Sequence, residues 1–316
     1  MLILLAAIQD SSAWQTFLQH CLIGLTNGSL FALIALGYTM VYGIIELINF
    51  AHGDLFMLGC FLALTLIGWL GLSGAATPAT VAGIALVLVL VPIFCASLNF
   101  AVDRIVYRPL RNAPRLAPLV SAIGVSFVFM NVGLFWGGAA DRNFPDLVSR
   151  HNLLGNSAVQ FTLKDLMVIA VTVPIMVGLT LLVRFTQLGR AMRATAQNPV
   201  AARLMGINVD RVIGATFIIG GALAGAASVI YGLYINTISF QMGFQNGLYA
   251  FTAAVLGGIG NIPGAVLGGL IIGLVRSLGS GYIDEKWTGA LIFAILIVIL
   301  VFRPSGLLGT QTREKV

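Results

Sequence analysis

Apolar residues fill this chain in runs of about 17 to 25, the length a helix needs to cross a bilayer, and short polar stretches separate them. The pattern predicts spans near residues 28–48, 55–72, 78–102, 117–137, 166–183, 212–234, 248–275 and 287–302. The seventh block is interrupted by Gly257 to Gly264, where Asn261 and Pro263 break a continuous helix. It therefore reads as two half-helices, forming either a re-entrant hairpin or two short crossings. Ahead of the first span, Trp14, Phe17, Leu18, Cys21, Leu22 and Leu25 trace one helical face, with Gln15, Thr16, Gln19 and His20 on the other. This predicts an amphipathic helix over 13–26 lying along the membrane surface. The opening MLILLAAI has no positively charged flank, which disfavours a cleaved signal peptide.

Composition agrees with the pattern: 59% of residues are apolar and 9% charged, and the mean hydropathy is +0.99. A soluble domain would lack the polar surface to cover itself. The fold class is therefore an all-α polytopic membrane protein, a bundle of about eight transmembrane helices with a broken or re-entrant segment near 248–276. The whole of 1–316 forms one domain. The net charge of +6 is concentrated in a few loops, so it reports orientation and gives no support for nucleic-acid binding. Arg104, Arg108, Arg111 and Arg115 place one loop in the cytoplasm, and Arg303, Arg313 and Lys315 place the tail 303–316 there. The stretch 138–165 balances Asp141, Asp146 and Asp165 against Arg142, Arg150 and Lys164, as an external loop should. An even number of crossings must then separate 211 from the tail, which three apolar blocks satisfy if the broken one is a re-entrant hairpin or two short crossings.

The interval 184–211 carries Arg184, Arg190, Arg193, Arg203 and Arg211 against one acid, Asp210. Each arginine would cost about 2.5 to 3.5 kcal/mol at mid-bilayer, so the stretch lies in water. Within it Asn198 caps a short helix, Pro199 takes the first helical position and Gly206 supplies the left-handed stop. Val200, Ala201, Leu204 and Met205 fall at helical spacing beside Arg203. Nothing in the membrane requires that helix, so it should meet something else. A second polar concentration is ELINFAHGD, where Glu46, Asn49, His52 and Asp54 crowd together. One reading is a turn in which Gly53 ends one helix and Asp54 caps the next. The other is a polar cluster on a transport route.

What is absent narrows the function. Lys164, Lys286 and Lys315 follow Leu163, Glu285 and Glu314, so no glycine-lysine phosphate loop exists and no ATP site of that kind. His20, His52 and His151 lack partners at metal spacing, and Cys21, Cys60 and Cys95 read as packing thiols. No metal or cofactor is expected. Apart from Glu46 and Asp54 the spans hold almost no carboxylates, which argues against ion-coupled carriage. A neutral-walled pore or carrier driven from outside itself remains, with a stand-alone channel as the alternative.

Four segments carry a resemblance: Leu36 to Gly59 with INFAHGD, Arg108 to Gly124 with RPLRNAPR, Gly189 to Ile213 with AQNPVAARLMGI, and Ala250 to Gly269 with AVLGGIGNIPGA. They occur in order along nearly the whole chain and closely resemble the LivH-type permease subunit of branched-chain amino-acid ABC importers. That family often has Glu where Asp54 stands. The resemblance implies a second permease of the LivM type, two cytoplasmic ABC ATPases and a periplasmic amino-acid-binding protein, all at a bacterial inner membrane with its lipids. It also implies that 184–211 is the cytoplasmic coupling loop, with Asn198, Pro199, Ala202, Arg203, Leu204 and Gly206 seated against an ATPase. Related permeases handle other amino acids, amides or urea. Expected wall positions for a zwitterion with an apolar side chain are Ser121, Ser126, Asn131, Gly257, Gly258 and Asn261. Asn49, His52, Gly53 and Asp54 form the polar turn motif.

Overall fold

The computed structural model describes residues 13–45, 47, 49–74, 77–111, 113–114, 116–149, 151–155 and 159–309. The long helices in chain order are α1 (Ala13–Ile45), α2 (Ala51–Trp69), α3 (Pro78–Leu110), α4 (Leu116–Gly137) and α5 (Leu163–Phe185). Two short helices follow, α6 (Gln187–Gln197) and α7 (Pro199–Leu204). The chain is completed by α8 (Val209–Ile235), α9 (Met242–Gly257), α10 (Ile262–Tyr282) and α11 (Glu285–Phe302). Eight of these are long and apolar enough to cross a membrane, α9 being too short. A two-residue ribbon pairs β1 (Arg142–Asn143) with β2 (Thr237–Ile238).

The centre is α1, α2 and α8, whose apolar windows are more than 70% buried, while α11 buries only 11%. The peripheral helices turn large apolar side chains outward, Phe135 and Phe302 among them, which suits a lipid surface. Small residues let the central helices touch. A side chain at Gly28 would meet the Leu270 backbone at 2.7 Å, and one at Gly24 would meet Leu274 at 2.9 Å. As residue numbers rise along α1 they fall along α10, so the two run antiparallel. Along α8, a side chain at Gly221 would meet the Ala96 backbone at 2.8 Å and one at Gly225 that of Pro92 at 2.6 Å, which sets α8 antiparallel to α3 in the same way.

Three boundaries differ from the sequence reading. The separate surface helix over 13–26 does not exist, because α1 runs unbroken for 33 residues, about 50 Å at 1.5 Å per residue. Gly28 acts as a contact with α10 and not as a breaker. The first turns of α1 are also held by Gln19, which bonds the backbone of Gln160 in both directions, and by Ser277, which donates to the His20 carbonyl. Second, α3 does not end at Val102. It continues through one π-helical turn, Asp103–Tyr107, and on to Leu110. Third, the turn in ELINFAHGD is not at Gly53. α2 already begins at Ala51, and its N-cap Phe50 makes no side-chain cap. Gly53 is small because α9 crosses there, its backbone at Gly247 lying 2.7 Å from where a Cβ would stand. Glu46 and the tail beyond Gly309 lie outside the described residues.

The broken block is two helices, α9 and α10, packed antiparallel through Gly257 against Gly264 and Ala253 against Gly268. With α9 counted as a short pass beside the three long ones, four passes separate 211 from the tail, an even number as the charges require. The described arginines of the expected cytoplasmic loops gather at one end, together with the C-terminal ends of α1, α3, α5, α9 and α11. The opposite end is closed by the ribbon and by Lys164, which donates to Asp146 at 3.0 Å and also to Asn236.

Candidate functional site

At the arginine-bearing end α7 forms as its residues dictate. The Asn198 Oδ1 accepts from the backbone N–H of Val200 and Ala201 at 2.9 and 3.0 Å, Pro199 occupies the first helical position, and Gly206 turns at φ +82°. Ala202 faces inward and is buried, as are Met192 and Thr195 on α6. Val200, Leu204 and Met205 face out and are 64%, 84% and 81% exposed, beside exposed Arg203. Arg193 turns back and donates to the Val183 carbonyl. Three large apolar side chains thus stand uncovered by the described residues on a capped helix flanked by arginines.

Just behind α7 lies a network of buried polar groups. Arg111 donates to Asp103 at 2.6 Å and to Asp210 at 2.5 Å, and Arg108 reaches Asp210 at 3.4 Å. The π turn aims both Asp103 and Tyr107 inward, each essentially without exposure. Tyr107 donates to Asn49, Asn49 donates to Asn99, and Asn99 donates to the Phe217 carbonyl of α8 at 2.7 Å. The polar turn motif is therefore split. Asn49 joins this network, while His52, Gly53 and Asp54 occupy the first turn of α2 deeper in the bundle. There Ser126 of α4 donates to Asp54, whose other oxygen has no partner, and both imidazole nitrogens of His52 are buried without a hydrogen bond. His52 lies edge-on to Tyr38 with ring centroids 4.8 Å apart.

The expected wall residues do not form one surface. Ser126 is buried on Asp54. Ser121, five residues earlier on α4, is half-buried. Asn131 is exposed on the outer face of α4 and donates to its own helix at Phe127. Gly257, Gly258 and Asn261 sit at the arginine-bearing end under residues 305–309. Leu307 and Leu308 donate to the carbonyls of Leu256 and Gly257 at 2.9 and 3.0 Å, and Asn261 donates to Leu308 at 2.6 Å. The break between α9 and α10 thus has its free carbonyls satisfied by the chain's own end, which is how irregular backbone survives at such a place. Gly258 and Gly260, at φ +105° and +86°, make the turn. Beside it a cleft opens among Thr39, Gly43, Val183, Arg193, Gly260 and Ile262.

One charged residue escaped the sequence reading. Arg276 lies inside α10, past the point where the apolar block was closed at Val275. Its guanidinium sits over the rings of Phe31 and Tyr249 at 5.5 and 5.3 Å. Such contacts contribute about 0.5 to 2 kcal/mol, less than the roughly 2.5 to 3.5 kcal/mol that an arginine costs near a bilayer centre.

Residues 21–300 match the family model described as branched-chain amino acid transport system / permease component. The high-affinity branched-chain amino acid transport system permease protein BraD of Pseudomonas aeruginosa is 41% identical over 306 residues, covering 95% of this chain and 98% of that protein. The permease protein LivH of Escherichia coli K12 is also 41% identical, with the same coverage of each. A solved structure described as PsaBC from Streptococcus pneumoniae in complex with Fab is 12% identical over 95% of each chain, at a TM-score of 0.49.

Proposed function

The chain belongs to the permease component family of branched-chain amino acid transport systems, and on that premise we propose that it forms half of the translocation pathway of a binding-protein-dependent ABC importer for leucine, isoleucine and valine. It works with a second permease of the LivM type, two cytoplasmic ABC ATPases and a periplasmic binding protein, in the inner membrane of a bacterium. The observation that carries this reading is α7: a capped helix at the arginine-bearing end whose Val200, Leu204 and Met205 have no cover among the described residues. A groove on an ATPase would cover them. The chain itself has no phosphate-binding loop, so the work must arrive from outside.

Closure of the ATPases would then push on α7 and, through two short joints, on α5 and α8. Residue 198 is at once the end of α6 and the cap of α7, and Asn208 caps α8 four residues after α7 ends. A displaced α7 therefore tilts its flanking spans as a rigid piece, and the opening of the bundle alternates between its two ends. The test is uptake into proteoliposomes. The co-purified complex with binding protein should accumulate leucine only when ATP reaches the ATPase side, and the chain alone should accumulate none. Uphill uptake by the isolated chain without nucleotide or companion subunits would overturn the proposal.

A further inference from the structure

Arg276 is a charge that no carboxylate among the described residues answers. It lies four residues past residue 272, the midpoint of α10, about 6 Å along the axis at 1.5 Å per residue. Long helical side chains lean back toward the helix N-terminus, which carries the guanidinium nearer that midpoint. No carboxylate among the described residues is within ion-pair distance of it. Its neighbours are two aromatic faces, Phe31 of α1 and Tyr249 of α9, themselves edge to face at 5.9 Å. They flank the guanidinium, whose N–H groups make no hydrogen bond to the described residues. Nor is the place sealed. Arg276 is half-buried, and Gln245, exposed on α9, donates to the Tyr249 hydroxyl at 3.4 Å, so a polar line runs from the surface of α9 inward. Next to it Asn246 donates to the Tyr231 hydroxyl at 3.2 Å, which leaves that hydroxyl's own proton free to give.

An intramembrane arginine that faces helices and lacks a counter-ion marks a site for a mobile anion. Its five donors in a fixed fork match a carboxylate, and the adjoining rings of Phe31 and Tyr249 match an aliphatic side chain. We propose that Arg276 receives the α-carboxylate of the amino acid in transit, with Phe31 and Tyr249 beside its apolar side chain. Binding is weak enough to release the solute because the fork is partly hydrated and the site contributes one charge. This rests on the importer reading above and adds the point of contact.

The test uses the whole reconstituted complex. Arg276→Gln should lower ATP-driven leucine uptake at least tenfold while assembly and binding-protein-stimulated ATP hydrolysis persist, and Arg276→Lys should retain an intermediate rate. Should the Gln variant fail to assemble, the wild-type complex answers directly. In the nucleotide-free state leucine, but not leucinamide, should shield Arg276 from an arginine-selective dicarbonyl reagent, read by mass spectrometry. Parental uptake by Arg276→Gln, equal labelling with and without leucine, or shielding that follows anionic lipid alone would overturn the proposal and leave the importer reading standing. A wild-type complex that never accumulates leucine would remove both.

Discussion

At the scale of the residue, two positions separate what a side chain does from what its type suggests. Gly206 stands in open space, so its identity is fixed by backbone alone: φ is +82°, where a side chain costs about 1 to 2 kcal/mol. Gly206→Val should therefore shift α7 out of its seated conformation about 5- to 30-fold. The variant complex should assemble and hydrolyse ATP but move fewer leucines per ATP than the parent. An unchanged ratio would show that α7 is not the lever. Ser126 and Asn131 make the second contrast, since both are polar residues on α4. Ser126→Ala strips Asp54 of its one hydrogen-bond donor among the described residues and should destabilise by about 1 to 3 kcal/mol, more if Asp54 is charged. Asn131→Leu exchanges a lipid-side group and should stay within about 0.5 kcal/mol. Thermal unfolding of the two variants in detergent should rank them that way. The sequence could not make this distinction, because serine and asparagine at helical spacing do not say which neighbour they bond. It failed at Gly53 for a related reason. A glycine that ends a helix and a glycine that admits a crossing helix are spelled alike, and only the position of Gly243 and Gly247 on α9 decides between them. Where the chemistry was local the reading held. Asn198, Pro199 and Gly206 bound α7 by their own backbone preferences, and that helix needed no tertiary information.

At the scale of the element, α3 and α8 are fastened at two heights, once by Arg111 between Asp103 and Asp210 and once by Asn99 on the Phe217 carbonyl. The lower fastening lies in the first turn of α8, four residues after Gly206, so any displacement of α7 reaches α3 through it. The π turn makes this possible. One extra residue in the ladder directs Asp103 and Tyr107 into the bundle, and Tyr107 passes the connection to Asn49 at the joint between α1 and α2. This element was invisible in the sequence because DRIVYRPLRNAPR reads as a charged loop, and the pairing of Arg111 with Asp103 and the distant Asp210 is a tertiary contact. The two carboxylates are not equivalent. Asp103 is fully buried and Asp210 is 39% exposed. Arg111→Gln leaves Asp103 without its cation and should destabilise by about 3 to 5 kcal/mol. Asp210→Asn breaks a screened contact worth about 1 kcal/mol or less, yet it cuts the connection from α7. Asp210→Asn should thus leave the melting temperature almost unchanged while reducing leucine transported per ATP hydrolysed. If Asp210→Asn and Gly206→Val are additive in that ratio, the two act separately. A combined loss no larger than the greater single loss would place them in one line of transmission.

At the scale of the whole molecule, eight helices are long enough to cross a membrane. Counting α9 as a short ninth traverse, the reading in which the start of α1 and the end of α11 are expected on opposite faces, agrees with the charges of the loops. Most of this was legible from hydropathy and charge, since each span needs only its own length and each loop its own arginines. The parity condition asked the block near 248–276 to be either a re-entrant hairpin or two short crossings. What hydropathy could not supply was the layering. α1, α2 and α8 are no more apolar than α5 and α11, and they become central because glycines at 24, 28, 221 and 225 let their neighbours approach. The arrangement fixes a sidedness that labelling can read. Leu204 on α7 and Gly155 in the loop before α5 are both exposed and lie at opposite ends. The native thiols Cys60 and Cys95 are buried, and Cys21 can be replaced to clear the background. In intact cells Gly155→Cys should react with a membrane-impermeant maleimide and Leu204→Cys should not. In inside-out vesicles the order should reverse, and bound ATPase subunits should then shield Leu204→Cys, because the groove that covers α7 excludes the reagent. Labelling of both positions from one side would undo the crossing of α5 and the sidedness assigned to the two ends. Labelling of Leu204→Cys that is indifferent to the ATPases would leave the topology intact and remove α7 as their docking element.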